Sequence, residues 1–210
     1  MTTDGRKLRG QRSREAILDQ AVSLASVDGL EGLTLGRLAA AAGVSKSGFF
    51  AHWTDKQHLQ LDTIDWASRQ WRERVVMPAR TAAPGVRRLF ALHEARLRFY
   101  TDRVLPGGCF FFAAQVEFDD RPGPVKEHLA QAVTFWLDYL RAQVERAVGL
   151  GELDRSVDPA QLAFEIDALG EAAVTCSRLV NQELAFVHSR RAVLQRLRAL
   201  STNPNLLPED

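Results

Sequence analysis

Cysteine is almost missing from this chain: there are two, Cys109 and Cys176, far apart and each in an apolar stretch. That scarcity excludes a disulfide framework and a thiolate metal centre, and both thiols read as reduced core groups. No apolar run approaches the roughly 20 residues that a helix needs to cross a bilayer. The N-terminus is polar and basic, without the hydrophobic block that export requires, so the expected location is the cytoplasm, with no membrane partner. An excess of either charge is also missing. Lys and Arg number 27 against 26 Asp and Glu, a formal net charge of +1, so any affinity for nucleic acid has to come from a local concentration of basic groups. Catalytic signatures are absent too: there is no HExxH, no ExxH pair of the di-metal bundle kind, no CxxC, no phosphate-cradling glycine loop and no GxSxG elbow. The run Gly43-Val44-Ser45-Lys46-Ser47-Gly48 has the outline of an elbow, but its second glycine comes one residue late and no strand precedes it. The chain is therefore expected not to be an enzyme, with no catalytic residues, no metal and no cofactor.

What the chain has instead is helical period. Apolar residues make up 46% of it, enough for a small module and one ordinary domain with its own core. No strand-like alternation is sustained, which predicts an all-α fold of about nine helices. A first helix covers residues 13–27, with Ile17, Ala21, Leu24 and Ala25 on one face and Gly29 as its stop. Thr54, Asp55 and Lys56 cap a long segment that runs to about Val76 and ends before Pro78. Residues 84–104 place Val86, Phe90, His93, Leu97 and Tyr100 on one stripe, broken by Pro106-Gly107-Gly108. A short apolar helix follows over 109–118, and a long one over 124–149 carries Val125, Leu129, Val133, Trp136, Leu140, Val144 and Ala147. Asp158-Pro159-Ala160-Gln161 is a capping box with proline at the first helical position. The helix it opens has Leu162, Ile166, Leu169, Ala173, Cys176 and Val180 in a heptad-like stripe, and a last one over 183–200 carries Phe186, Val193, Leu197 and Leu200. The tail from Asn203 is polar and proline-containing and is expected to fray.

The segment 34–56, TLGRLAAAAGVSKSGFFAHWTDK, has the spacing of two short helices joined by a tight glycine turn. Thr34 caps the first, whose Leu35, Leu38, Ala39 and Ala42 recur at helical spacing, and Gly43 supplies the left-handed residue that ends it. Ser45 caps the second, about 46–53, so close behind that the pair must cross steeply, as in a helix-turn-helix. Phe49 and Trp53 then face inward, with Lys46, Ser47, Gly48, Phe50 and His52 nearer the surface. An ordinary helical hairpin needs the same apolar spacing, but not both caps, the glycine and the trailing Asp55-Lys56 together.

The stretch GVSKSGFFAHWTDKQHL resembles the signature of TetR/AcrR-type bacterial transcriptional regulators, roughly G-V-S-x-[GS]-x-[LF]-[YF]-x-[HY]-[FW]-x-[SD]-K-x-x-L. The resemblance is close from Arg12 to about Leu61 and extends beyond only as helical layout. Phe50 stands where tyrosine is common and Trp53 where phenylalanine is. The resemblance implies a three-helix DNA-binding head with a helix-turn-helix and a basic N-terminal arm over 1–55, a helical effector-binding and dimerisation domain over 56–202, and a flexible tail over 203–210. Lys46, Lys56, His52, Thr34 and Ser45 are the expected phosphate contacts on double-stranded DNA, and Lys46, Ser47, Gly48 and Phe50 lie closest to base edges. Upstream, Arg6, Lys7, Arg9, Arg12 and Arg14 face a single nearby acid, Asp4. That arm follows phosphates, enters the minor groove, or is a solvated tail; Arg12 is the arm residue expected at DNA.

Two further expectations follow from the resemblance. Leu162, Ile166, Leu169 and Ala173, with Val193 and Leu197, form a stripe suited to a two-fold four-helix interface, or else to this chain's own core. One short recognition helix reads few base pairs, which favours a homodimer on an inverted-repeat operator. The middle of the chain is rich in aromatic residues, compatible with an apolar effector pocket or with solid core. Candidate walls are Cys109, Phe110, Phe111, Trp136 and Phe164, and candidate polar contacts His93, Gln115, Glu117 and Asp167. The expected function is a repressor released from its operator by a small, mostly apolar effector of unknown identity. The alternative is a DNA-bound structural or protein-interaction factor without one.

Overall fold

The computed structural model of the chain describes residues 2–45 and 49–209. Eight helices are defined among them: α1 Thr2–Asp28, α2 Leu35–Ala42, α3 Lys56–Trp71, α4 Val86–Thr101, α5 Phe110–Phe118, α6 Pro124–Gly149, α7 Pro159–Leu179 and α8 Gln182–Leu200. No strand forms among the described residues; Leu153 and Ser201 make one isolated antiparallel bridge. No helix of the described residues is long and apolar enough to cross a membrane.

Two helix limits differ from expectation. α1 begins at Thr2, not near residue 13, because Gly5 and Gly10 cost only about 1 kcal/mol each in a helix and no proline interrupts it. α3 does not stop before Pro78 either. Its path continues through a π turn, Arg72–Val76, into a short turn Met77–Ala79. Pro78 lacks an N–H and its ring crowds the carbonyl four residues back; the wider π turn, with the Met77 N–H on the Arg72 carbonyl, relieves that crowding.

The chain forms two compact units, each assembled from separate stretches. The first comprises Met1–Gln70 and Leu105–Ala132. Its core holds Ile17, Leu18, Ala21, Val22 and Ala25 of α1, Leu38 of α2, Phe49, Trp53, and Leu59 and Ile64 of α3, all essentially buried. Burial of each large side chain contributes about 1.5–3 kcal/mol. α5 packs against α1. At the turn before α5, the Gly107 N–H donates to Ser26 Oγ at 2.9 Å, and a Cβ there would lie 1.7 Å from the Ser26 carbonyl oxygen. Only glycine fits that approach.

The second unit comprises Trp71–Val104 and Val133–Asp210, with α7 packed along α8. Val86, Leu89, Phe90, Val144, Ala147, Leu153, Leu162, Ile166, Val193, Leu194, Leu197 and Leu207 form one core. This corrects the expected dimer stripe: Leu162, Ile166, Val193 and Leu197 are buried in their own chain, Leu169 packs against the same core, and Ala173 is 3% exposed. From Leu162 to Ala173 the heptad-like spacing marks the inward face of α7, whereas its last members, Cys176 and Val180, are exposed. The tail also differs from expectation. Asn203 caps a 3-10 turn, Leu207 is buried, and Arg198 Nη1 donates to the carbonyls of Pro204, Leu207 and Pro208 at 3.3, 3.3 and 2.8 Å.

Candidate nucleic-acid interface

α2 forms where its cap and its glycine predict it. The Arg37 N–H points to Thr34 Oγ1 at 3.4 Å, opening α2. Gly43 closes α2 with φ 64° and ψ 28°, its N–H on the Ala40 carbonyl and that of Val44 on the Ala39 carbonyl. Beyond, the Phe49 N–H donates to the Ser45 carbonyl at 3.0 Å, one helical turn on. The expected contacts Lys46, Ser47 and Gly48 lie outside the described residues. Phe49 and Trp53 are buried with ring centroids 5.2 Å apart, whereas Phe50 is 46% exposed. Thr34, Arg37, Ser45 and Ala51 are exposed beside it and His52 is half-buried. Burial, then the charge of Arg14, lowers the His52 pKa.

Two basic residues expected at DNA are engaged within the chain. Lys56 Nζ donates to the Glu31 carbonyl at 2.7 Å and to Glu31 Oε2 at 2.8 Å. That bond, then one from Gln60, holds the Glu31 carboxyl below its usual range. α3 takes its cap from Asp55, whose Oδ1 accepts the His58 N–H at 2.8 Å. Arg14 turns inward to Asp62 and lies 5.6 Å above the Trp53 ring. Asp62 also accepts the Trp53 indole N–H at 2.6 Å. Asp62 is a positioning residue that motif reading missed; the available signal was a buried indole N–H, which needs an acceptor. Arg12 is exposed on α1. The backbone of this basic segment is helical from Thr2.

The expected effector residues are divided between the two units. In the first unit, Cys109 is buried and its Sγ accepts the Phe112 N–H at 3.5 Å, capping α5. Phe110 is buried with its ring 5.2 Å from that of Phe111, and Gln115 is half-buried. In the second unit, Asp167 Oδ1 accepts from Trp136 Nε1 at 2.8 Å and from Arg96 Nη1 at 2.6 Å. Arg96, only 4% exposed, also donates to the Tyr100 hydroxyl at 2.8 Å and lies 5.7 Å from the Trp71 ring. Trp71 in turn meets Trp136 and Phe99 edge-on, each at 5.4 Å. Burial, then the charge of Asp167, raises the Glu171 pKa. His93 is buried on α4; Ser189 gives its one hydroxyl proton to the Leu169 carbonyl at 2.8 Å, so His93 Nε2, 3.2 Å away, is the donor. Phe164 is no wall: it is 62% exposed. Cys176, read as a core thiol, is exposed. Among the described residues no group of three or more His, Cys, Asp or Glu is placed to hold a metal ion.

A capped α2, the left-handed glycine that closes it, and beyond it Phe49 and Trp53 buried with Phe50 exposed, carried by an all-helical chain, have the layout of a helix-turn-helix DNA-binding regulator. The model for bacterial regulatory proteins of the tetR family matches residues 17–62, and that for a tetracyclin repressor-like C-terminal domain matches 85–193. The chain belongs to the TetR family of transcriptional regulators, DNA-binding proteins and not enzymes. A TetR transcriptional regulator from Chloroflexus aurantiacus J-10-fl is 26% identical, with a TM-score of 0.85 over 92% of this chain and 98% of that one. A TetR-family regulator from Streptomyces coelicolor is 22% identical, with a TM-score of 0.75 over 90% and 96%. AibR, solved in complex with isovaleryl coenzyme A and operator DNA, is 22% identical, with a TM-score of 0.67 over 87% and 97%. The last two share the fold alone. No curated protein matches the chain.

Proposed function

We propose that this regulator is a homodimeric repressor that leaves an inverted-repeat operator when a small, mostly apolar effector binds. The observation that carries the reading is the head, where Thr34, Ser45 and Phe50 stand exposed around a reading pair whose inner face is packed on Trp53. DNA contact is assigned to these residues, to Arg12 and to Lys46, Ser47 and Gly48. Dimerisation is assigned to the outer faces of α7 and α8, where Phe164, Leu179, Val180, Leu184 and Val187 are 62, 80, 84, 51 and 44% exposed. Apolar area of that kind marks an interface. Effector binding is assigned to the second unit, where Trp71, Phe99, Tyr100, Trp136 and Phe186 surround Arg96 and Asp167. AibR, of the same fold, binds an acyl thioester together with DNA, which supports an effector carrying an apolar chain.

One observation favours the other reading, a DNA-bound factor without an effector. Arg96 already fills the polar centre of the aromatic group, bonded to Asp167 and Tyr100. The test selects operator DNA from a random duplex pool and screens apolar compounds by thermal shift. Each hit is then added to the protein–DNA complex. Linkage requires a releasing compound to bind free protein more tightly than DNA-bound protein by the factor by which it weakens DNA affinity. Hits that bind without releasing DNA favour the factor reading.

A further inference from the structure

α5 lies outside the residues matched by the DNA-binding family model and inside those matched by the C-terminal one, yet one of its side chains is built into the head. Gly29 ends α1 in the left-handed region with φ 75°, its N–H on the Ala25 carbonyl at 3.0 Å. The two N–H groups that follow converge on a single carboxylate from α5. Leu30 N–H donates to Glu117 Oε2 at 2.6 Å and Glu31 N–H to Glu117 Oε1 at 3.1 Å. Successive N–H groups after a left-handed residue form an anion-binding concavity, and here the anion belongs to the chain itself. A Cβ at Gly29 would stand 2.5 Å from Glu117 Oε2, so the approach depends on glycine as well.

Glu31 is held from a second side. Its carbonyl and Oε2 accept from Lys56 Nζ at 2.7 and 2.8 Å, and its Oε1 accepts from Gln60 Nε2 at 3.2 Å. One residue of the α1–α2 turn is thus gripped at its N–H by α5 and at its carbonyl and side chain by α3. Three residues later the turn reaches Thr34, where the reading pair begins.

We infer that Glu117 is a positioning residue for DNA binding: its carboxylate, seated in the α1–α2 turn, sets the direction in which α2 leaves that turn, so α5 controls operator affinity without touching DNA. The inference rests on DNA binding alone and needs no effector. Simple charge effects act with the opposite sign, since removing an acidic group from a DNA-binding protein strengthens its attraction to phosphates. The positioning role predicts a loss.

The experiment measures operator affinity of the full chain against salt concentration for wild type, Glu117→Ala and Glu117→Asp, well below each variant's unfolding temperature and with the active fraction titrated. The alanine variant is expected to bind its operator about tenfold more weakly with an unchanged salt slope, because no phosphate contact is lost. Aspartate keeps the charge but is one methylene short of both N–H groups, and restores only part of the affinity. A fall of threefold or more in the alanine variant supports the inference; a smaller fall, or a rise, overturns it. Should the alanine variant be unfolded at the assay temperature, the aspartate variant decides. Affinity below wild type then supports the positioning role, and affinity equal to wild type overturns it.

Discussion

Lys56 stands where family resemblance expects a phosphate contact, but its ammonium is bonded to Glu31. Lys56→Ala should therefore leave the salt dependence of operator binding unaltered, whereas loss of a phosphate contact would lower its slope by about 0.9. Both side chains are close to half exposed, so the stability change should stay within about 1 kcal/mol. A salt titration beside a urea melt separates the two roles. His93 gives the second prediction at this scale. Burial, with smaller effects from Arg96 and Arg190, takes its pKa from 6.5 down to about 3. Between those values the unfolded chain holds a proton on this ring that the folded chain does not, so stability rises with pH through this window and is lost as pH falls through it. The slope from one group is at most about 1.4 kcal/mol per pH unit. The lowered carboxylates of Glu31 and Glu165 act with the same sign, but only below their ordinary 4.5. Urea unfolding of wild type and His93→Gln should hence differ in pH slope between pH 6.5 and 5, and equal slopes would count against a buried neutral imidazole.

Among the elements, the pair α7 and α8 makes the sharpest comparison. A carboxylate at Ile166, 3% exposed in the core, should unfold the second unit, because an unpaired buried charge costs several kcal/mol. Phe164→Glu, on the exposed face, should leave the circular dichroism spectrum intact and weaken dimerisation in analytical ultracentrifugation. An undiminished dimer would move the interface elsewhere. Much at this scale was legible in the residues. Asp158 Oδ1 accepts the N–H groups of Ala160 and Gln161 at 2.9 and 3.2 Å, as its capping box predicts, and Gly43 is left-handed as the turn requires. Which side of α7 faces inward was not legible, since Ile166 and Phe164 are both apolar and a stripe does not name its partner. Caps supplied from afar were equally hidden. Glu117 reaches Leu30, and Glu152 Oε2 accepts the Val86 N–H at 2.9 Å to open α4; neither leaves a local pattern.

At the scale of the molecule, neither unit is a continuous stretch of chain. Motif reading divides the protein at residue 55, just before the next long helix, because sequence order carries no information about later segments that return to an earlier core. The first unit includes Leu105–Ala132. A fragment ending at residue 70 loses α5, with Gly107 no longer on Ser26 and Glu117 no longer on the α1–α2 turn. Such a fragment should show reduced helicity and no cooperative thermal transition. A two-state melt with operator binding equal to that of the full chain would show the head to be self-sufficient.

Cys176 is exposed and Cys109 is buried, so the native protein carries one thiol open to alkylation and one shielded from it. A maleimide applied briefly at neutral pH should attach once per chain, with no engineered cysteine. Because Cys176 lies on α7, three residues before the exposed Leu179, the rate of that attachment becomes a clock for assembly. Under the proposed α7–α8 interface, diluted chains should react fast and paired chains slowly, with the rate changing at the dimer dissociation constant; a rate independent of concentration would place the interface away from Cys176.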